Sequence, residues 1–149
     1  MHEADDAYMG FAGPDELIAF LNELLEAERA GARVTLESAR EAGATPVGEM
    51  MMAVQHDEAR WCAMLARHVK ALGGAPSTTV GAFHGKAMAI ADLGARTAFL
   101  NRGQGWVVRK LREMLPRVRD DKLHADLGEM LRSHEANIAL ANRFCGTAG

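Results

Sequence analysis

Proline and glycine divide this chain into four long segments, and each segment carries apolar residues at the helical period. Gly13-Pro14-Asp15-Glu16 reads as a helix start, because proline suits the first helical position and acids suit the positive end of the helix dipole. The spacing predicts a helix over 14–42, ended by Gly43, where glycine tolerates a left-handed cap. Thr45-Pro46 repeats the start signal, and a second helix runs to about Leu72 before Gly73-Gly74 and Pro76. A third is expected from about Asp92 to Leu115, stopped or kinked by Pro116. A fourth runs from about Asp121 to Phe144. Between the second and third, residues 73–91 form a long connection with one short helix near Phe83 to Ile90. Short turns within each pair imply antiparallel neighbours. The long connection can span the length of a helix at about 3.3 Å per residue. The third helix can therefore run parallel to the second through a crossover, or the four can alternate up and down.

The expected class is all-α: one domain over 14–146 behind a flexible tail, 1–13. At 149 residues the chain is long enough for a core of its own. Aromatics make up only 5%, and the wealth of Ala, Leu and Met favours helices. The net charge of −3 is spread evenly along the chain. The most basic stretch, Arg109 to Arg119, is interleaved or flanked by Glu113, Asp120 and Asp121. It reads as a solvated helix face, so no nucleic-acid partner is expected. No run approaches the roughly 20 apolar residues of a membrane span, and the acidic start lacks the apolar run of a signal peptide. Cys62 and Cys145 have no metal-type spacing, which suits reduced thiols in a cytoplasmic protein.

Four polar residues interrupt the four apolar stripes: Glu28, Glu58, Gln104 and Glu135. Each falls near the middle of its helix, so the four can meet in one layer. Burying a carboxylate costs several kcal/mol, to about that order, unless it is paired, protonated or metal-bound. Asp57 and His134 stand one residue earlier than Glu58 and Glu135, and His134 shares a face with Leu127, Leu131 and Ile138. Three readings stay open. Glu28, Asp57 or Glu58, Gln104, His134 and Glu135 hold one metal (iron, manganese or zinc); or the cluster is a hydrogen-bonded one in which Arg29, Arg60 or Arg102 neutralises the glutamates; or some of these residues simply face solvent.

The segment Leu24-Leu25-Glu26-Ala27-Glu28-Arg29-Ala30 resembles the first ligand-bearing helix of ferritin-like four-helix bundles of the rubrerythrin and bacterioferritin type. Asp57-Glu58-Ala59 and His134-Glu135-Ala136 are similar to the paired second and fourth helices. The resemblance implies a ferritin-like bundle with a long connection between helices 2 and 3, and self-association as a homodimer. In dinuclear members those two helices carry Glu-x-x-His, whose first and last residues share a face and a metal. Here Trp61 and Ile138 stand where the histidines would be, and Gln104 replaces a glutamate. The implied two-metal site is thus degenerate, with Trp61 and Ile138 filling space at lost ligand positions.

Asn101-Arg102-Gly103-Gln104-Gly105-Trp106 puts two glycines inside a helix, at about 1 kcal/mol each against alanine. They make room for bulk from a facing helix, with Trp61 the candidate, or they mark a bend or π-bulge. Three functions follow: a non-catalytic ferritin-like module that is dimeric or binds a small molecule in its polar core; a metal-dependent oxidoreductase or stress protein with a remodelled carboxylate and histidine site; or a structural adaptor.

Overall fold

A computed structural model describes residues 9–145. Among these residues the chain is all-helical, with five α-helices and no strand: α1 (Pro14–Ala42), α2 (Pro46–Ala71), α3 (Phe83–Met88), α4 (Leu93–Met114) and α5 (Asp121–Ala141). Short 3₁₀ turns, Leu115–Arg117 and Asn142–Phe144, follow the last two. The four long segments fold as their punctuation predicts. Thr45 Oγ1 accepts from the Gly48 N–H at 3.1 Å, Asp92 from Ala95 at 2.8 Å and Asp120 from Leu123 at 2.8 Å. Each cap satisfies an N–H that the first helical turn leaves open. Pro116 ends α4 in a 3₁₀ turn.

Cross-helix contacts fix the directions. The Arg117 guanidinium just beyond α4 grips Glu16 at the start of α1 with two bonds of 2.7 and 2.8 Å. Arg96, at the start of α4, donates to Ser38 and Glu41 at the end of α1. So α4 runs antiparallel to α1. The turn 43–45 makes α2 antiparallel to α1 as well, and α2 and α4 therefore run the same way. In α5, Asp126 meets His68 and Asn137 meets Asp57, which makes α5 antiparallel to α2.

The connection 72–92 is the crossover this arrangement demands, and it is fastened along α1 as it climbs. Asn22 bonds Ala75 and Ser77, and Glu26 accepts from Ser77 Oγ at 2.5 Å. Arg29 donates to the carbonyls of Ser77 and Thr79, and His84 lies 3.0 Å from Glu37. The expected free tail 1–13 mostly lies outside the described residues, but its last part is pinned. Ala12 is buried and its N–H donates to the Arg117 carbonyl at 2.9 Å.

The apolar core falls into two halves. The larger is built on Leu21, Leu24, Leu25, Trp61, Leu65, Leu111, Leu127 and Met130. The smaller, at the other end, holds Val34, Met51, Val54, Leu100 and Ala141. Each fully buried aliphatic side chain contributes about 1.5–3 kcal/mol. In every long helix a buried polar residue falls between the two halves: Glu28, Glu58, Gln104 and His134, the last followed by Asn137. No helix among the described residues is long and apolar enough to cross a membrane.

Candidate polar core site

The polar layer is assembled from one residue per long helix, all buried: Glu28 is 2% exposed, Glu58 4%, Gln104 6% and His134 1%. His134 is fixed at both ring nitrogens. Nδ1 lies 2.9 Å from the Met130 carbonyl, which can only accept, so Nδ1 carries a proton. Nε2 lies 3.0 and 3.1 Å from the two carboxylate oxygens of Glu28. With Nδ1 protonated, Nε2 donates to the carboxylate when the ring is an imidazolium, and the pair is then ionic. Burial alone would lower its pKa; the Glu28 charge and hydrogen bond, then the Met130 carbonyl and Asp57, outweigh burial and raise it.

Glu58 has no such cation. Among the described residues its hydrogen-bond neighbour is Thr35, whose Oγ1 is 3.5 Å from Oε1 and 2.8 Å from the Gly31 carbonyl. Burial first, and the Glu28 charge second, push its pKa well above the ordinary carboxylate value, against the Thr35 hydroxyl. Glu58 holds this rotamer against a glycine, Gly31. A Cβ there would lie 1.8 Å from Glu58 Oε2. Among the described residues two polar atoms in the layer have no partner of their own: one Glu28 oxygen, since a single N–H serves both, and Gln104 Oε1. The Trp61 Nε1 is a third buried atom without an acceptor.

Beside the layer lies a cavity of about 380 Å³. Glu28, Glu58 and Gln104 stand in its wall, and Phe83, Phe99, Trp106 and Val107 supply apolar surface. α3 closes one side: Phe83 stacks on Phe99 with ring centroids 5.0 Å apart. The approach of Phe83 explains the first of the paired glycines, for a Cβ on Gly103 would come within 2.9 Å of that ring. The bulk that Gly103 accommodates is thus Phe83 from the crossover, and the expected candidate, Trp61, is instead a buried part of the larger core half. Gly105 has nothing comparable opposite it.

Several expected residues take other places. Glu135 does not turn inward: it is exposed and pairs with Arg112 at 2.5 Å. The stripe of α5 is shifted by one residue, so His134 and Asn137 are buried where Glu135 and Ile138 were expected, and Ile138 is only half-buried. Ile138 fills no ligand place in the layer; its carbonyl accepts from Asn101. The arginines do not neutralise the glutamates either. Arg29 binds the crossover, Arg60 pairs with Glu129 and lies over the Trp61 ring, and Arg102 lies over Phe99. Asp57 sits at the edge, half-buried, accepting from Asn137 at 3.1 Å. Cys62 is half-buried beside the layer, and burial with the Glu28 charge pushes its thiol up to about 12. A thiol held protonated there is a poor nucleophile. Thr35, Phe83 and Asn137 escaped the sequence reading as site residues; Thr35 alone left a trace, seven residues after Glu28 on the same stripe.

These residues do not fit a two-metal centre. The inward donors are two carboxyls, one of them already bonded to the only imidazole, and a neutral amide. Among the described residues no three His, Cys, Asp or Glu side chains converge as a metal ion requires.

The fold and site define an all-helical domain with a polar layer and an adjoining cavity. The chain belongs to a family described as a domain of unknown function, DUF6306, whose model matches residues 15–143. No curated protein matches the chain. No solved structure matches it either.

Proposed function

We propose that this chain is a non-catalytic ferritin-like module with a degenerate two-iron site, whose polar core serves to bind a small organic molecule. The parallel α2 and α4 joined by a crossover support the ferritin-like part of the reading, since such bundles carry one long crossover connection. One observation carries the ligand-binding part: a cavity of about 380 Å³, mostly apolar, opens beside three buried polar side chains. Pockets for small molecules combine an apolar lining with a few placed polar groups, in about this size range. Homodimerisation and a cytoplasmic location belong to the same reading; the first rests on the resemblance, and the second is supported by two free cysteines.

Elemental analysis after loading with iron, manganese and zinc, beside Glu58→Ala, tests the module. The reading predicts no stoichiometric metal. Stoichiometric metal in the parent that disappears in the variant would favour the alternative, a metal-binding oxidoreductase or stress protein with a remodelled site.

A further inference from the structure

The buried polar groups of the cavity are short of donors. Glu28, Glu58 and Gln104 bring five polar side-chain oxygens to its wall, against one amide NH₂ and the N–H that His134 turns to Glu28; the other donor in the wall, the Arg102 guanidinium, is exposed and lies over the Phe99 ring. Of the two carboxyls only Glu28 faces a basic side chain, His134; Arg29 and Arg60 bond elsewhere, and Arg102, in the wall, lies over the Phe99 ring. Gln104 Oε1, in a side chain 6% exposed, has no donor among the described residues. Buried acceptors without donors are costly, and a buried carboxyl is best matched by a positive charge. The rest of the wall is aromatic and aliphatic. Phe83, Phe99 and Trp106 offer ring surface to an apolar body, and aromatic faces also favour a cation beside them.

We propose that the occupant is an organic amine, its ammonium group donating to Glu58 and Gln104 and its apolar body lying among Phe83, Phe99 and Trp106. This rests on the ligand-binding reading above and specifies its chemistry. An anionic ligand would meet two buried carboxyls, and the one cation in the wall, Arg102, is exposed and lies over the Phe99 ring. A plain hydrocarbon would leave Gln104 Oε1 and Glu58 as they are. A neutral alcohol has one O–H to offer where an ammonium group has three N–H and a charge.

The test is calorimetric titration of the full chain with three probes of one shape: phenethylamine, 2-phenylethanol and phenylacetate. Phenethylamine should bind more tightly than the alcohol by about tenfold or more, the factor expected for a charge-assisted bond over a neutral one. Phenylacetate should not bind. Glu58→Gln, with helicity checked by circular dichroism, should abolish the preference for amine over alcohol, and Ala27→Phe, which fills the cavity without touching its acceptors, should abolish binding of both. Equal affinity for amine and alcohol, or tighter binding of phenylacetate, overturns the amine assignment and leaves the pocket standing. Binding of phenethylamine that survives Ala27→Phe places it elsewhere and also overturns the assignment. If none of the three probes binds, the amine assignment and the ligand-binding reading fall together.

Discussion

Gly31 and Glu58 show how narrowly single residues define the polar layer. The glycine removes a Cβ that would stand 1.8 Å from the carboxyl. Gly31→Ala should therefore destabilise by about 1–3 kcal/mol through overpacking, although alanine is the better helix former. In urea unfolding, Gly31→Ala combined with Glu58→Ala should cost less than the sum of the two single changes. Strict additivity would show that the two do not share space. The pH dependence follows from the same residue. The folded-state pKa of Glu58 is raised, so the folded protein holds that proton more tightly than the unfolded chain does. Its contribution is full below the unfolded value, near 4.5, and is lost as pH rises through the folded value. Glu58→Gln should thus leave stability little changed at acid pH and raise it at neutral pH and above; thermal melts across that range check the sign. The His134 shift runs the same way, because its raised pKa means stability lost with rising pH from 6.5 upward. His134→Leu should cost about 3–5 kcal/mol by leaving Glu28 buried without its cation, and Glu28→Leu added to it should recover most of that loss.

At the scale of the element, side chains of α1 fasten the crossover, in addition to its own local bonds such as Thr79 N–H to Ser77 Oγ. Arg29 carries the middle of it, with bonds of 2.7 and 2.8 Å to the carbonyls of Ser77 and Thr79. Arg29→Ala should free residues 75–82: hydrogen exchange there should accelerate, with α2 and α5 little affected, at a cost of about 1.5–3 kcal/mol. Uniform acceleration across the molecule would show that the segment is not held separately. The helices themselves were legible in the sequence because proline, glycine and cap residues mark their ends by local chemistry. Phe83 stacking against Gly103 was not, since nothing local says which aromatic a helical glycine faces. The register of α5 was misread for a related reason. His134 and Glu135 both satisfy a loose helical stripe, and Arg112, a long-range partner on α4, takes Glu135 to the surface. Likewise the buried Arg96, gripping the end of α1 through Ser38 and Glu41, has no sequence signal that sets it apart from the exposed arginines around it.

For the whole molecule, the sequence placed a polar layer across the middle of four helices and named its members, Glu28, Glu58, Gln104 and His134, the last beside Glu135, which the structure puts at the surface. Periodicity locates a polar residue on an inward face. It does not say whether a void lies beside it, because the void is bounded by the crossover and by α4 together. That void decides between the functional readings. Stability should not depend on metal, so dialysis against a chelator should leave the melting temperature unchanged, whereas a structural ion would make it fall. Native mass spectrometry of the chain as isolated, and after incubation with phenethylamine, tests the central claim most directly. The account predicts a one-to-one organic adduct that is lost in Ala27→Phe. Adducts whose masses match iron, manganese or zinc and vanish in Glu58→Ala, or a chain that stays bare under both conditions, would contradict it.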